Sequence, residues 1–177
     1  MLVVVTGGSG SGKSLYAEEY VEKFGEGKRI YLATMKPYGA EEMQKIRRHQ
    51  EMRKERGFTT IECYTGIRNL TFPKDAVVLL ECMSNLTANE MYEADGAKEH
   101  TAEEIIDGVE KIIHSVKHLV VVTNEVFSDG IDYGEETMQY IHTLGEINQR
   151  LARMADEVIE VVYSIPVFHK KRKGEIK

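Results

Sequence analysis

Short, unbroken apolar runs alternate along this chain with longer stretches of helical period. Leu2-Val3-Val4-Val5, Arg29-Ile30-Tyr31-Leu32-Ala33, Ala76-Val77-Val78-Leu79-Leu80 and Leu119-Val120-Val121-Val122-Thr123 read as strands buried on both faces. Thr59 to Tyr64 gives a shorter strand, and Val158 to Tyr163 a last one that stops near Pro166. Between them, Ser14 to Phe24 is a helix with Leu15, Ala17, Tyr20, Val21 and Phe24 near one face, ended by Gly25 and Gly27. Ser84 to Tyr92 is a short helix, and Ala102 to His118 carries a full apolar stripe. Glu135 to Met154 is a long helix burying Met138, Ile141, Leu144, Ile147 and Leu151. Strands alternating with helices predict an α/β fold in a single domain over residues 1–177, with a mainly parallel sheet and helices on both faces.

Glu41 to Arg56 breaks the pattern. Its residues favour helix, yet only Met43, Ile46 and Met52 are apolar anchors. Lys45, His49 and Arg53 recur every fourth residue and so share one face. A solvated surface helix with a charge stripe and a cationic wall for an anionic ligand fit that spacing equally.

The strongest local signal follows the first strand. Gly7-Gly8-Ser9-Gly10-Ser11-Gly12-Lys13-Ser14 is a complete G-x-x-x-x-G-K-S phosphate-binding loop between a strand and a helix. The glycines let successive N–H groups turn inward as an anion nest, and the helix adds the positive end of its dipole. Lys13 supplies a mobile charge for the outer phosphates, and Ser14 a hydroxyl for Mg²⁺. Loops at the carboxyl ends of parallel strands face the ligand crevice, which makes Thr34 and Met35 site candidates by position. Glu81 closes an apolar strand with a carboxylate, where a P-loop protein keeps an acid near the metal or its waters. The loop from Ser128 to Gly134 lies on the same side and is equally a plain connection. His114 and His118 are four apart, but with no third ligand at a recognisable spacing they read as histidines in the last turn of a helix.

Composition narrows the class. The chain of 177 residues is 42% hydrophobic, enough for a sizeable core. A net charge of −6 counts against a nucleic-acid partner. No segment reads as a leader or as a membrane span, and Cys63 and Cys82 lack C-x-x-C spacing, as expected of reduced thiols in a cytoplasmic protein. The basic tail from His169 to Lys177 reads as a frayed terminus. The D-x-x-G and N-K-x-D pair of a GTPase and the LSGGQ-like signature of an ABC ATPase are missing. A small-molecule kinase or nucleotidyltransferase remains, with a RecA-like nucleic-acid-stimulated ATPase as the competing class.

Taken together, VTGGSGSGKS, YLAT, KIRRHQ-x-x-R, IEC, DAVVLLEC, VVVTNEV and INQRLARMADEV resemble, in that order, the bifunctional adenosylcobinamide kinase / adenosylcobinamide-phosphate guanylyltransferase family of cobalamin biosynthesis. The resemblance implies a P-loop NTPase fold with a RecA-like, mainly parallel sheet, an edge strand of opposite sense and a homo-oligomer, a trimer being favoured. It implies two reactions. A nucleoside triphosphate, ATP or GTP, phosphorylates the aminopropanol arm of adenosylcobinamide; GMP from GTP then passes through an enzyme histidine to the new phosphate. The histidine of the basic helix is the family's nucleophile, and His49 holds that position. The implied nucleotide contacts are Gly7 through Ser14, then Ala33, Thr34 and Met35, then Gln50, Glu51, Met52 and Arg53, and the acids Glu62 and Glu81. Gly10 departs from the larger, often basic residue the family carries there.

Overall fold

The computed structural model describes residues 1–25, 27–37, 50–126 and 133–172. The apolar runs form strands β1 (Leu2–Thr6), β2 (Arg29–Ala33), β3 (Phe58–Glu62), β4 (Val77–Leu80), β5 (His118–Val122), β6 (Glu157–Val162) and β7 (Ile165–Lys170). They make one sheet in the order β3-β2-β4-β5-β1-β6-β7, parallel except for β7, which pairs antiparallel with β6. The P-loop strand β1 is therefore flanked by β5 and β6, in register Val3 with Val120 and with Glu157.

Side chains of period two divide the core between the two faces of the sheet. Leu2, Val4, Ile30, Leu32, Val78, Leu80, Leu119 and Val121 point to one face, and are covered by α2 (Met83–Tyr92), α3 (Thr101–Ser115) and α4 (Glu135–Met154). Val3, Val5, Tyr31, Ala33, Leu79, Val120 and Val122 point to the other, where α1 (Lys13–Lys23) supplies Ala17 and Val21. Each such leucine or valine, fully removed from water, stabilises by about 1.5–3 kcal/mol. Residues 50–55, the described end of the charge-rich segment, are helical.

Three sequence expectations change here. The helical spacing puts Leu15 on the buried face of α1, but it is 57% exposed and lines the cleft described below. The third helix ends at Ser115, because Val116 turns extended (φ −114°, ψ 166°) and His118 begins β5. His114 and His118 therefore do not share a helix face; the His118 ring stacks instead on Phe24, centroids 3.9 Å apart. Finally, the strand that stops before Pro166 is not the last one, and His169 and Lys170 are not frayed. Tyr163 and Ser164 form a two-residue turn into β7, and Pro166 sits on the sheet's edge strand, where its missing N–H is tolerated. This is the edge strand of opposite sense. Both turn residues have positive φ, 50° and 63°, the signature of a type I′ hairpin turn. For residues other than Gly, Asn or Asp that conformation costs roughly 1–2 kcal/mol each.

Candidate active site

The P-loop leaves β1 at the carboxyl edge of the sheet and closes onto α1. Gly7 has φ +152°, and a Cβ there would fall 2.5 Å from the Val161 carbonyl oxygen and 2.7 Å from Ser11 Oγ. Gly12, the N-cap of α1, has φ +90° and packs so tightly that a Cβ would lie 2.6 Å from Ser164 Oγ. Only glycine satisfies both the conformation and the space. The loop is tied to its surroundings by backbone: Glu125 N–H donates to Gly7 O (3.3 Å) and Ser164 N–H to Ser11 O (2.8 Å).

No side chain caps α1 and no acid occupies its first turn. Its N-terminal N–H groups and dipole thus present an anion site with no competing carboxylate in that turn. Lys13 folds back so that Nζ donates to Gly8 O at 3.1 Å. Partial burial lowers its pKa, opposed by a smaller effect of Cys82. A desolvated ammonium beside a helix N-terminus gains most when a polyanion arrives.

Beside this loop lies a cleft of about 550 Å³ lined on one wall by Ser14, Leu15 and Glu18 of α1. Tyr31, Ala33 and Met35 form its floor, with Glu81 at the end of β4. Gln50, Met52, Arg53 and Arg56 form the far wall, with Thr60 and Glu62 of β3. Glu81 Oε2 accepts from the N–H groups of Thr34 (3.1 Å) and Met35 (3.4 Å), which sets both the carboxylate and the loop after β2. Glu62 accepts from Gln50 Nε2 (2.9 Å) and from the Tyr64 hydroxyl (3.0 Å). Burial, then that bond to Glu62, pushes the Tyr64 phenol up to about 12, so it stays a donor. Arg53, a residue only 8% exposed, places its guanidinium over Tyr31 with Cζ 3.6 Å from the ring centroid. Burial, with the neighbouring Glu81 carboxylate, keeps the Tyr31 phenol neutral far into the alkaline range. Arg56 is held by Glu22 (2.7 Å) and by Glu18, joining the far wall to α1.

Of the residues expected from sequence, Ser14, Ala33, Met35, Gln50, Met52, Arg53, Glu62 and Glu81 line this one cleft. Thr34 is adjacent in sequence but fully buried: its Oγ1 donates to Cys82 O (2.8 Å) and its carbonyl accepts from Asn89 (2.9 Å). Its side chain positions the loop from behind. Glu51 is exposed and does not line the cleft. Lys45 and His49, and residues 128–132 of the Gly/Asp-rich loop, lie outside the described residues. Sequence reasoning missed Leu15, Glu18, Tyr31, Arg56 and Thr60 as cleft residues. Only Leu15 left a usable signal, a large apolar residue immediately after a P-loop serine.

Among the described residues no cluster of three or more His, Cys, Asp or Glu could hold a metal by itself. No helix among them is long and apolar enough to cross a membrane. Ser14 and Glu81 bring a hydroxyl and a carboxylate to the same cleft, the oxygen donors that a magnesium ion takes while keeping most of its coordination for phosphate and water.

The chain is similar to a solved KaiC-like protein from Pyrococcus horikoshii, with a TM-score of 0.56 over 99% of this chain and 81% of that one. At 12% identity this likeness carries the fold alone. It is 30% identical to the bifunctional adenosylcobalamin biosynthesis protein CobU of Salmonella typhimurium and 29% identical to that of Escherichia coli. Each alignment covers 94% of this chain and 98% of the relative. Residues 3–168 match the family described as cobinamide kinase / cobinamide phosphate guanyltransferase. With the P-loop, the acid-lined cleft and the near full-length alignments in agreement, this α/β P-loop protein belongs to that family of bifunctional cobalamin-biosynthesis enzymes.

Proposed function

We propose that one domain spanning the chain runs both reactions of the family from this cleft. In the first, the P-loop and Lys13 hold the triphosphate of ATP or GTP, and the hydroxyl of the aminopropanol arm of adenosylcobinamide attacks the γ-phosphorus. The bond to the β-phosphate oxygen breaks, a nucleoside diphosphate leaves, and the hydroxyl proton passes to solvent or to a basic group. In the second, a neutral ring nitrogen of His49 attacks the α-phosphorus of GTP and pyrophosphate leaves. A phosphate oxygen of adenosylcobinamide-phosphate then displaces the histidine, giving adenosylcobinamide-GDP. Ser14 and Glu81 would hold Mg²⁺, which when bound screens the phosphate charge. Arg53 and Lys45 offset the repulsion between the two anions that meet in the transfer step. The enzyme works in the cytoplasm as a homo-oligomer, with a trimer favoured and no nucleic-acid or membrane partner.

The observation that carries this reading is that Gln50, Met52 and Arg53, the residues just after His49, line the same cleft as Ser14 and Glu81. The test is incubation with α-labelled GTP and Mg²⁺ followed by denaturing electrophoresis. Wild-type protein should retain label that is labile to acid and stable to alkali, as a phosphoramidate is. His49→Ala should retain none, while phosphorylation of adenosylcobinamide largely persists. Undiminished labelling of the variant would remove His49 from the mechanism.

A further inference from the structure

The turn between β6 and β7 is oddly made for a hairpin. A two-residue turn with positive φ at both positions is relaxed with Asn-Gly, yet this chain places Tyr163 and Ser164 there. Bulky side chains avoid this conformation, and such outliers concentrate where a site demands them. The tip is also fastened to the P-loop. Ser164 N–H donates to Ser11 O at 2.8 Å, and the Ser164 side chain occupies the space above Gly12. Tyr163 is the residue before it, with a Cα about 3.8 Å away along the chain. Its side chain is 90% exposed, so the core gains nothing from the ring. A phenol is thus held, at a conformational cost and in water, one residue from the serine that bonds the P-loop.

We propose that Tyr163 is a stacking platform for the purine of the nucleoside triphosphate whose phosphates occupy the P-loop. This inference rests on the P-loop reading given above. Stacking is the chemistry that fits, since the tip offers a broad aromatic face. Every base has a π-face, so a platform of this kind tolerates either purine. ATP and GTP would both be accepted as phosphoryl donors. The alternative is a contact with another copy of the chain, because Ile165, Val167 and Phe168 on β7 are also exposed. Those residues follow the edge strand away from the turn, whereas Tyr163 belongs to the part bonded to the P-loop.

The experiment compares wild-type protein, Tyr163→Gly and Tyr163→Phe by calorimetric titration with Mg²⁺ and ATP, GTP or inorganic tripolyphosphate. Glycine suits the left-handed turn, so Tyr163→Gly should melt no lower than wild type. It should bind ATP and GTP about tenfold more weakly, by the same factor for both, as loss of a base stack does. Tripolyphosphate, which has no base, should bind the variant as it binds wild type, and Tyr163→Phe should bind all three normally. Unchanged nucleotide affinity in Tyr163→Gly would overturn the platform. So would equal weakening of tripolyphosphate, or a changed oligomeric mass with intact nucleotide binding. If wild-type protein bound none of the three ligands, the P-loop reading itself would fail, and the platform with it.

Discussion

At the amino ends of the strands, several polar groups are matched to one another inside the protein. Asp156 accepts from Leu2 N–H at 2.8 Å, and the Tyr20 hydroxyl donates to the buried Glu157 carboxylate at 2.5 Å. Arg29 donates to the Arg56 carbonyl at 3.0 Å. The carboxyl ends hold matched groups as well, at Glu62 and Glu81, but they also present groups that the fold leaves open. Lys13 is partly desolvated, Leu15, Met35 and Met52 are exposed, and Tyr163 sits in a turn suited to glycine. One end supplies stability, and the other gives some up to present groups to a ligand. That contrast follows from parallel topology, which puts every loop after a strand on one side of the sheet.

The largest effect that would sharpen the contrast is at Lys13. Its lowered pKa means that the fold disfavours the charged amine relative to the unfolded chain. At neutral pH, below the unfolded value, that disfavour reduces stability. Lys13→Ala should therefore lower both phosphorylation and guanylylation by at least about a hundredfold. The ligand-free protein should melt at the same temperature or slightly higher. Parallel activity assays and thermal scans measure the two sides. A marked fall in melting temperature would break the contrast, because the P-loop lysine would then be a structural residue.

Arg53 tests the boundary between the two regimes, since it is buried like a core residue yet lines the cleft. Arg53→Lys keeps a charge but loses the guanidinium placed over Tyr31. The stability lost should be about 1 kcal/mol, the size of a partly desolvated cation–π contact. Guanylylation should fall by about tenfold, more than phosphorylation does, because Arg53 belongs to the wall that follows His49. Chemical denaturation and separate assays of the two steps give the comparison. Equal losses in both steps would place Arg53 with the P-loop rather than with the transfer site.

How much of this could be read from sequence depended on how local the physics is. The P-loop was legible because its glycines, lysine and serine encode their geometry within eight consecutive residues, Gly7 to Ser14. The strands were legible because burial on both faces leaves short, unbroken apolar runs. The Tyr31–Arg53 stack was not, because it joins a strand residue to a helical one and no periodicity links them. Neither was β7: Pro166 reads as a stop, and only the edge position, known from the sheet order, makes it acceptable. The hairpin's contact with Gly12 was equally hidden. His118 reads as helical because the apolar stripe runs on through Val116, whereas the backbone is already extended there.

That histidine gives the smallest effect and a test of the amino end by pH. The His118 ring lies against Phe24, nearly parallel at 9°, with Nδ1 buried and lacking a hydrogen-bond partner among the described residues. Burial first, then the amino terminus of Met1 and the charges of Lys117 and Arg172, hold its pKa below the ordinary value of 6.5. The folded protein thus keeps His118 neutral where the unfolded chain has begun to take up a proton. As pH falls through 6.5 toward the lower folded value, the unfolded state binds more protons and stability declines. The ring is partly exposed, so solvent screening holds the loss to on the order of 1 kcal/mol or less. His118→Phe keeps the aromatic stack and removes the titration. Its melting temperature should fall less than that of wild type as the pH is lowered from about 7 to about 5. Both activities at neutral pH should be unchanged, since His118 begins β5 at the edge remote from the P-loop. Identical pH profiles for the two proteins would show that the stacked histidine contributes nothing to the acid sensitivity of the amino end.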